Sequence, residues 1–336
     1  MKKDKKLISL SVALLMFIGV IAVCVQDGAA MVHNPGHYES TFDDTAYIDL
    51  SMEMIPLTAS PTMFSVLETT APGRLTKSNS RATIDYSNTA DGYIMVRFAS
   101  KTNKELRVLI TGPSAVRYQY TLDQSGAFEV YPLSDGNGRY TIGVFQQVEG
   151  NSYSTALSAT IEVELKDEFA PFLRPNQYVN FNKDSKVVAR AAELTRNSRN
   201  LMEEISAIYN FVIKNITYDR VFAQEVTRGM HRNYLPDVDK VLERGKGICF
   251  DYAALMTAML RSLEIPTRLV VGYAGTAYHA WIDVYSEEHG WINSLIFFDG
   301  EDWKLMDPTF ASSANQSSAV MQFIGDGSNY SVRFLY

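Results

Sequence analysis

Between Arg81 and Leu165 the chain is written in short runs rich in β-branched and aromatic residues: "ATIDYS", "GYIMVRFA", "ELRVLITG", "RYQYTLD", "RYTIGVFQQ" and "TALSATIEVEL". Several alternate with a period of two, as in Ile84 and Tyr86, Ile94, Val96 and Phe98, Leu106, Val108 and Ile110, and Tyr140, Ile142 and Val144. That period puts every second side chain on one face of a strand, and turn residues such as "SDGNG" at 134–138 separate the runs. The spacing predicts a small antiparallel β-sandwich of immunoglobulin-like type over 81–166. No chemistry is visible in it, so a spacer or binding module is its expected role.

After "DEFAPFLRPNQYVNF", with Pro171 and Pro175 marking a junction, the period lengthens. "SKVVARAAELTRN" and "NLMEEISAIYNFVIKNI" place apolar residues at i, i+3 and i+4, for example Leu201, Ile205, Ile208 and Val212, which predicts two helices. A polar connector, 217–240, follows. In "GKGICFDYAALMTAMLRSLEIPTRLVVGY" the apolar positions 252, 255, 256, 259, 260 and 263 fall on one face of a further, amphipathic helix that Pro266 closes. Residues 31–80 mix Pro, Gly, Ser, Thr and Met with no sustained period and read as an extended spacer.

The first thirty residues change the setting. Lys2, Lys3, Lys5 and Lys6 precede an uncharged, mostly apolar run from Leu7 to Val25, and small residues end at Ala29 and Ala30. This order is that of an export signal, with the rest of the chain expected outside the cytoplasm. The run is also near the length that spans a bilayer, so an uncleaved anchor through 7–25 is the rival expectation; lipidation of Cys24 is a third. Removing residues 1–30 takes away four lysines and two aspartates and moves the net charge from −7 to −9. No basic stripe remains, which argues against a nucleic-acid partner.

The chain has two cysteines, Cys24 in the export segment and Cys249. An exported domain with a single thiol has no internal disulfide to form. The bland account of Cys249 is a small buried hydrophobe. Against it, Gly245 and Gly247 lead the chain directly to the N-terminus of the predicted helix, where unpaired N–H groups and the macrodipole favour an anion and hence a reactive thiolate. A nucleophilic thiol needs a base and a group to orient that base. Of five histidines, His33 and His37 lie in the spacer and His231 and His289 in polar segments. His279 differs, because "AYHAWIDVY" reads as a strand with His279, Trp281 and Asp283 on one face. In "DWKLMDPTF" a strand ends on Asp307, held at a corner by Pro308.

These residues in this order resemble the core of the transglutaminase-like superfamily, relatives of papain-fold cysteine proteases. The likeness rests on "GKGICFDYA", "LRSLEIPTRLVVGY", "YHAW" and "MDPTF", with the two preceding helices, and covers roughly 180–310. It implies an α+β, papain-like catalytic domain over 167–336, with N-terminal helices and an antiparallel sheet. It implies Cys249 as nucleophile, His279 as general base and then acid, and Asp307 as the orienting partner, in acyl transfer on peptide or protein amide bonds. The oxyanion would be held by the Cys249 N–H and a second donor, for which Tyr218 is a candidate beside its plainer role as a packing aromatic. Asp251 most simply supports the helix N-terminus.

Phe250 stands where animal transglutaminases resemble Trp, and no segment resembles their calcium sites. No CxxC or GxGxxG is present, and His33 and His37, four apart, enclose Pro35 and Gly36 in the spacer, so neither a metal nor another cofactor is expected. Hydrolysis is the leading expectation, transglutaminase crosslinking the second, and a non-catalytic surface scaffold the alternative from another class. A cell-surface or cell-wall partner is expected through the sandwich.

Overall fold

The computed structural model describes residues 66–287, 290–292, 296–298, 303–305 and 330–336. Its first part is two four-stranded antiparallel sheets. One runs in the order β1-β2-β3-β6, from β1 (Thr76–Ser78), β2 (Ala82–Asp85), β3 (Tyr93–Phe98) and β6 (Glu129–Pro132). The other runs β5-β4-β7-β8, from β4 (Leu106–Thr111), β5 (Arg117–Thr121), β7 (Gly138–Glu149) and β8 (Ser152–Val163). The period-two residues face inward together: Val108 pairs with Val144 and Tyr120, Ile110 pairs with Ile142, and all are buried. Strand β6 has only four residues and ends in Pro132, too short to leave a period in the sequence. The Asn79 side-chain amide donates to the Ala156 carbonyl at 2.8 Å, linking the two sheets at their edges.

Packing against the first sheet begins well before Arg81, so the segment expected as spacer over 31–80 is built into the fold at its C-terminal end. Val66 is buried, the Thr70 N–H donates to the Tyr93 hydroxyl at 3.1 Å, and the Arg174 guanidinium donates to the Glu68 carbonyl at 3.0 Å. The remainder of that spacer, and the export segment 1–30, lie outside the described residues. Among the described residues no helix is long and apolar enough to cross a membrane.

The second part gathers helices and a sheet around one buried helix. Helices α1 (Lys186–Thr195) and α2 (Leu201–Asn215) match the expected spans, with the Asn200 side chain capping α2 through the Glu203 N–H at 2.9 Å. The connector 217–240 is more ordered than its polarity suggested. It holds β9 (Thr217–Tyr218), α3 (Arg220–Thr227) and the start of α4 (Val238–Arg244), the two helices capped by Asp219 and Asp237. Helices of two turns carry too few apolar positions to show a period.

After β10 (Lys246–Gly247) comes α5 (Cys249–Arg261), and here the expected single apolar face is a correction. Every residue of α5 except Phe250 is buried. α5 is packed by α1, α2 and α4 as well as by β11 and β12, and Ala253, Ala254, Thr257 and Ala258 are small enough to admit such close neighbours. That sheet is antiparallel in the order β13-β12-β11-β16, from β11 (Thr267–Ala274), β12 (Ala277–Ser286), β13 (Gly290–Ile292) and β16 (Tyr330–Leu335). A separate pair, β14 (Ile296–Phe298) and β15 (Trp303–Leu305), completes the described strands.

Two features knit the parts together. Arg261 is fully buried and donates to the backbone carbonyls of Arg174 (2.7 Å), Thr267 (2.8 and 2.9 Å) and Tyr336 (2.6 Å). Burial pushes its pKa down to about 9, because the charged form has lost its water. The second feature is a seam of aromatic rings. Tyr120 of β5 lies 5.1 Å from Tyr131, 5.6 Å from Tyr178 and 5.9 Å from Tyr336, and Tyr178 in turn lies 5.6 Å from Phe250 on α5. Gln177 adds polar stitches, donating to the Thr121 carbonyl at 2.9 Å and to Glu129 at 2.9 Å.

Candidate active site

Ile248 is the last extended residue before α5, which makes Cys249 the first helical residue and buries it. The N–H groups of this first turn have no intrahelical acceptor and point out of the helix end. The approach to the cysteine is strapped on one side. β9 and β10 pair in parallel, with Tyr218 in register with Gly247, and the Asp219 N–H donates to the Gly247 carbonyl at 2.8 Å. Tyr218 is thereby placed beside the backbone that enters α5, half-buried and packed against the core. The Tyr252 hydroxyl donates to the Ile216 carbonyl at 2.5 Å, fixing α5 to the end of α2.

Asp251 is fully buried and accepts three hydrogen bonds. The Ile248 N–H donates at 2.9 Å, the Tyr234 hydroxyl at 2.5 Å and the Arg244 guanidinium at 3.1 Å. Burial raises its carboxyl above the ordinary aspartate value, with the bonds from Tyr234 and Ile248 and the Arg244 charge opposing that rise. Support of the helix N-terminus by Asp251 was legible in the sequence. Its partners Tyr234 and Arg244 were not, since nothing in their spacing marks them.

His279 lies buried on β12, paired across the ladder with Gly272 of β11. Gly272 has no room for a side chain: a Cβ there would sit 2.0 Å from the Ser331 carbonyl oxygen and 2.8 Å from the Trp281 ring. β16 and Trp281 therefore close tightly over the strand that faces the histidine. The His279 ring stacks toward Trp281 at 6.3 Å and lies 6.5 Å from Tyr330, so the shared face read from the sequence is present. On the opposite face Tyr278, Ala280, Ile282 and Val284 turn toward the core that contains α5.

Tyr278 was not singled out by the sequence. Its hydroxyl is pushed up to about 12, first by burial, while Arg333 lowers it and both Tyr273 and the Cys249 sulfur raise it. The structure thus brings Cys249 within electrostatic reach of the residue that precedes His279. Asp307 lies outside the described residues, as does His289. Among the described residues no three His, Cys, Asp or Glu side chains converge as metal ligands.

Residues 188–294 match the family model of the transglutaminase-like superfamily. A relative in Bacillus subtilis (strain 168), the uncharacterised protein YebA, is 25% identical over 195 residues; the match takes in 51% of this chain and 26% of YebA. The chain thus spans about a quarter of that relative's length. Among solved structures, a candidate cysteine protease from Cytophaga hutchinsonii is 16% identical, with 71% of this chain and 73% of that one covered and a TM-score of 0.36. A candidate protease from Parabacteroides distasonis is 10% identical over 64% and 62% of the two chains, with a TM-score of 0.28. Red sea bream transglutaminase is 15% identical over 65% and 48%, with a TM-score of 0.27.

Proposed function

With residues 188–294 as a transglutaminase-like domain, we propose that this protein is a thiol enzyme that cleaves amide bonds in peptides or proteins through Cys249, His279 and Asp307. The observation that carries the reading is the seat of Cys249 at the first position of a buried helix packed on β12, with Tyr278, the neighbour of His279, in electrostatic reach of the sulfur. The His279 ring lies on the strand's other face, with Trp281 and Tyr330. Structural cysteines have no need of a helix N-terminus, whereas a developing anion does. In the proposed sequence the Cys249 sulfur attacks the amide carbonyl carbon and forms a C–S bond. The C–N bond then breaks, and His279 hands its proton to the leaving amine. Water, activated by the same imidazole, adds to the thioester and releases the acid and the free thiol. The oxyanion is received by the Cys249 N–H, with Tyr218 proposed as second donor from its place beside Gly247.

Several further points belong to the same proposal. The first thirty residues act as an export signal or anchor and place the enzyme at the extracellular face, with the membrane engaged only through 7–25 if the signal is retained. The paired sheets are an immunoglobulin-like sandwich that offers a partner-binding surface. Supporting the sandwich type, Tyr140 near the start of β7 donates to the Gly136 carbonyl at 2.8 Å and accepts from the Asp135 N–H at 2.9 Å. These bonds are similar to those of the tyrosine corner of immunoglobulin-like domains.

The test is the pH dependence of Cys249 alkylation by iodoacetamide, in wild type and His279→Ala. Reaction well below about pH 8 that His279→Ala abolishes supports the thiol–imidazole pair. A profile unchanged by that substitution, or a thiol inert in the folded protein, sinks the reading in favour of a binding scaffold. Peptide cleavage in the presence and absence of a primary amine then separates hydrolysis from transamidation.

A further inference from the structure

We infer that Asp251, gripped by Tyr234 and Arg244, is the positioning residue that fixes the Cys249 backbone at the start of α5. The inference rests on the thiol-enzyme reading and deepens it. The N-cap amide of a helix needs only one acceptor, and a neutral Gln at the third helical position supplies it without burying a charge. Here the acceptor is a fully buried carboxylate, whose retention requires partners. Those partners come from the stretch between α3 and β10. Tyr234 binds one oxygen, while Arg244 and the Ile248 N–H share the other. Arg244 also donates to the Lys246 carbonyl at 2.6 Å and to the Tyr234 hydroxyl at 3.3 Å, closing the set.

The packing leaves Asp251 no freedom to move independently of that backbone. A Cβ on Gly247 would lie 2.6 Å from the Asp251 Cβ and 3.0 Å from its carboxylate oxygen, so the carboxylate fills the space that a side chain there would need. Phe222 braces the partners from outside, edge-on to Tyr234 at 4.8 Å and beneath Arg244 at 5.9 Å. Cys249 is thus held on one flank by the β9–β10 pair and on the other by the Asp251 grip. The charged groups that act on Asp251 are Arg244 and Asp219, and Asp219 is itself paired with Lys246 at 3.6 Å.

Position and charge predict opposite results, which makes the inference testable. If Asp251 acted only as a negative charge near the sulfur, Asp251→Asn would favour the thiolate and move alkylation to lower pH. If it positions Cys249, the same substitution loosens the helix start from α4 and β10 and removes the reaction that depends on His279. The experiment is the iodoacetamide pH profile of full-length wild type, Asp251→Asn, Tyr234→Phe and Arg244→Lys, each checked for folding by circular dichroism. The low-pH rate is expected to fall by about tenfold or more in Asp251→Asn, and by a smaller factor in Tyr234→Phe and Arg244→Lys, while the reaction of the free thiol at high pH persists.

A wild-type profile without a His279-dependent limb overturns the thiol-enzyme reading itself. A wild-type limb that survives in the folded variants, or shifts to lower pH in Asp251→Asn, overturns the positioning role and leaves that reading standing. Tyr234→Phe keeps the ring and removes one oxygen, so it decides the matter should Asp251→Asn fail to fold.

Discussion

Gly272 shows how much a single missing side chain contributes here. It faces His279 across the β11–β12 ladder, and the Ser331 carbonyl occupies the space where its Cβ would be. Gly272→Ala must therefore push β16 away from β11 or tilt Trp281. The expected cost is about 1–3 kcal/mol, measured as a lower urea midpoint with the slope unchanged. A Gly272→Ala protein as stable as wild type would mean that β16 gives way freely. The candidate residues could be named at this scale because thiol, imidazole and helix start are rare and stood in a recognisable order; the structure places Cys249 at the start of α5 and His279 on β12. Asp251 was legible as a helix-start acid. Tyr278 was not, since a tyrosine in a strand reads as packing, and its proximity to Cys249 exists only once α5 and β12 are laid together.

Helix α5 is the element on which the site depends, and its burial has a titratable signature. The Asp251 carboxyl is raised above the ordinary aspartate value, so between that value and its folded pKa the native state binds more protons than the unfolded chain. Stability contributed at this position is therefore greatest in acid and falls as pH rises through that window, the reverse of the usual salt-bridged aspartate. Asp251→Asn removes the titration. Thermal unfolding from about pH 4 upward is expected to show the wild type losing stability relative to the variant as pH rises; parallel curves would show that the group does not titrate differently on folding. Elements with long runs, such as α2 or β3 and β4, declared themselves through their periods. Those too short to complete two periods, β6, α3 and α4, did not. α5 misled in a third way, because its apolar positions read as one face while every residue but Phe250 is buried.

Across the whole molecule, the aromatic seam argues against treating the paired sheets as a detachable module. Tyr120 belongs to β5, yet it touches Tyr178 and Tyr336, and Tyr178 reaches Phe250 beside the thiol. Tyr120→Ala is expected to remove about 3 kcal/mol and to shift one common urea transition, followed both by far-UV circular dichroism, which reads the strands of both sheets, and by thiol exposure. Two separated transitions, with thiol exposure unmoved, would show that the sheets melt alone. Sequence patterns gave the two regions but not this seam, since rings that meet across elements leave no period in either one. Arg261 carries a related lesson about time. Its acceptors are contributed by Arg174, Thr267 and Tyr336, the last of them 75 residues downstream. At about 5–20 residues per second the ribosome delivers that carbonyl roughly 4–15 s after the arginine itself. Until then one of the four hydrogen bonds of the Arg261 guanidinium has only water to receive it, while the Arg174 and Thr267 carbonyls can already take the other three. The last bond that ties the C-terminal end of α5 to the sheet therefore forms only once β16 has been made.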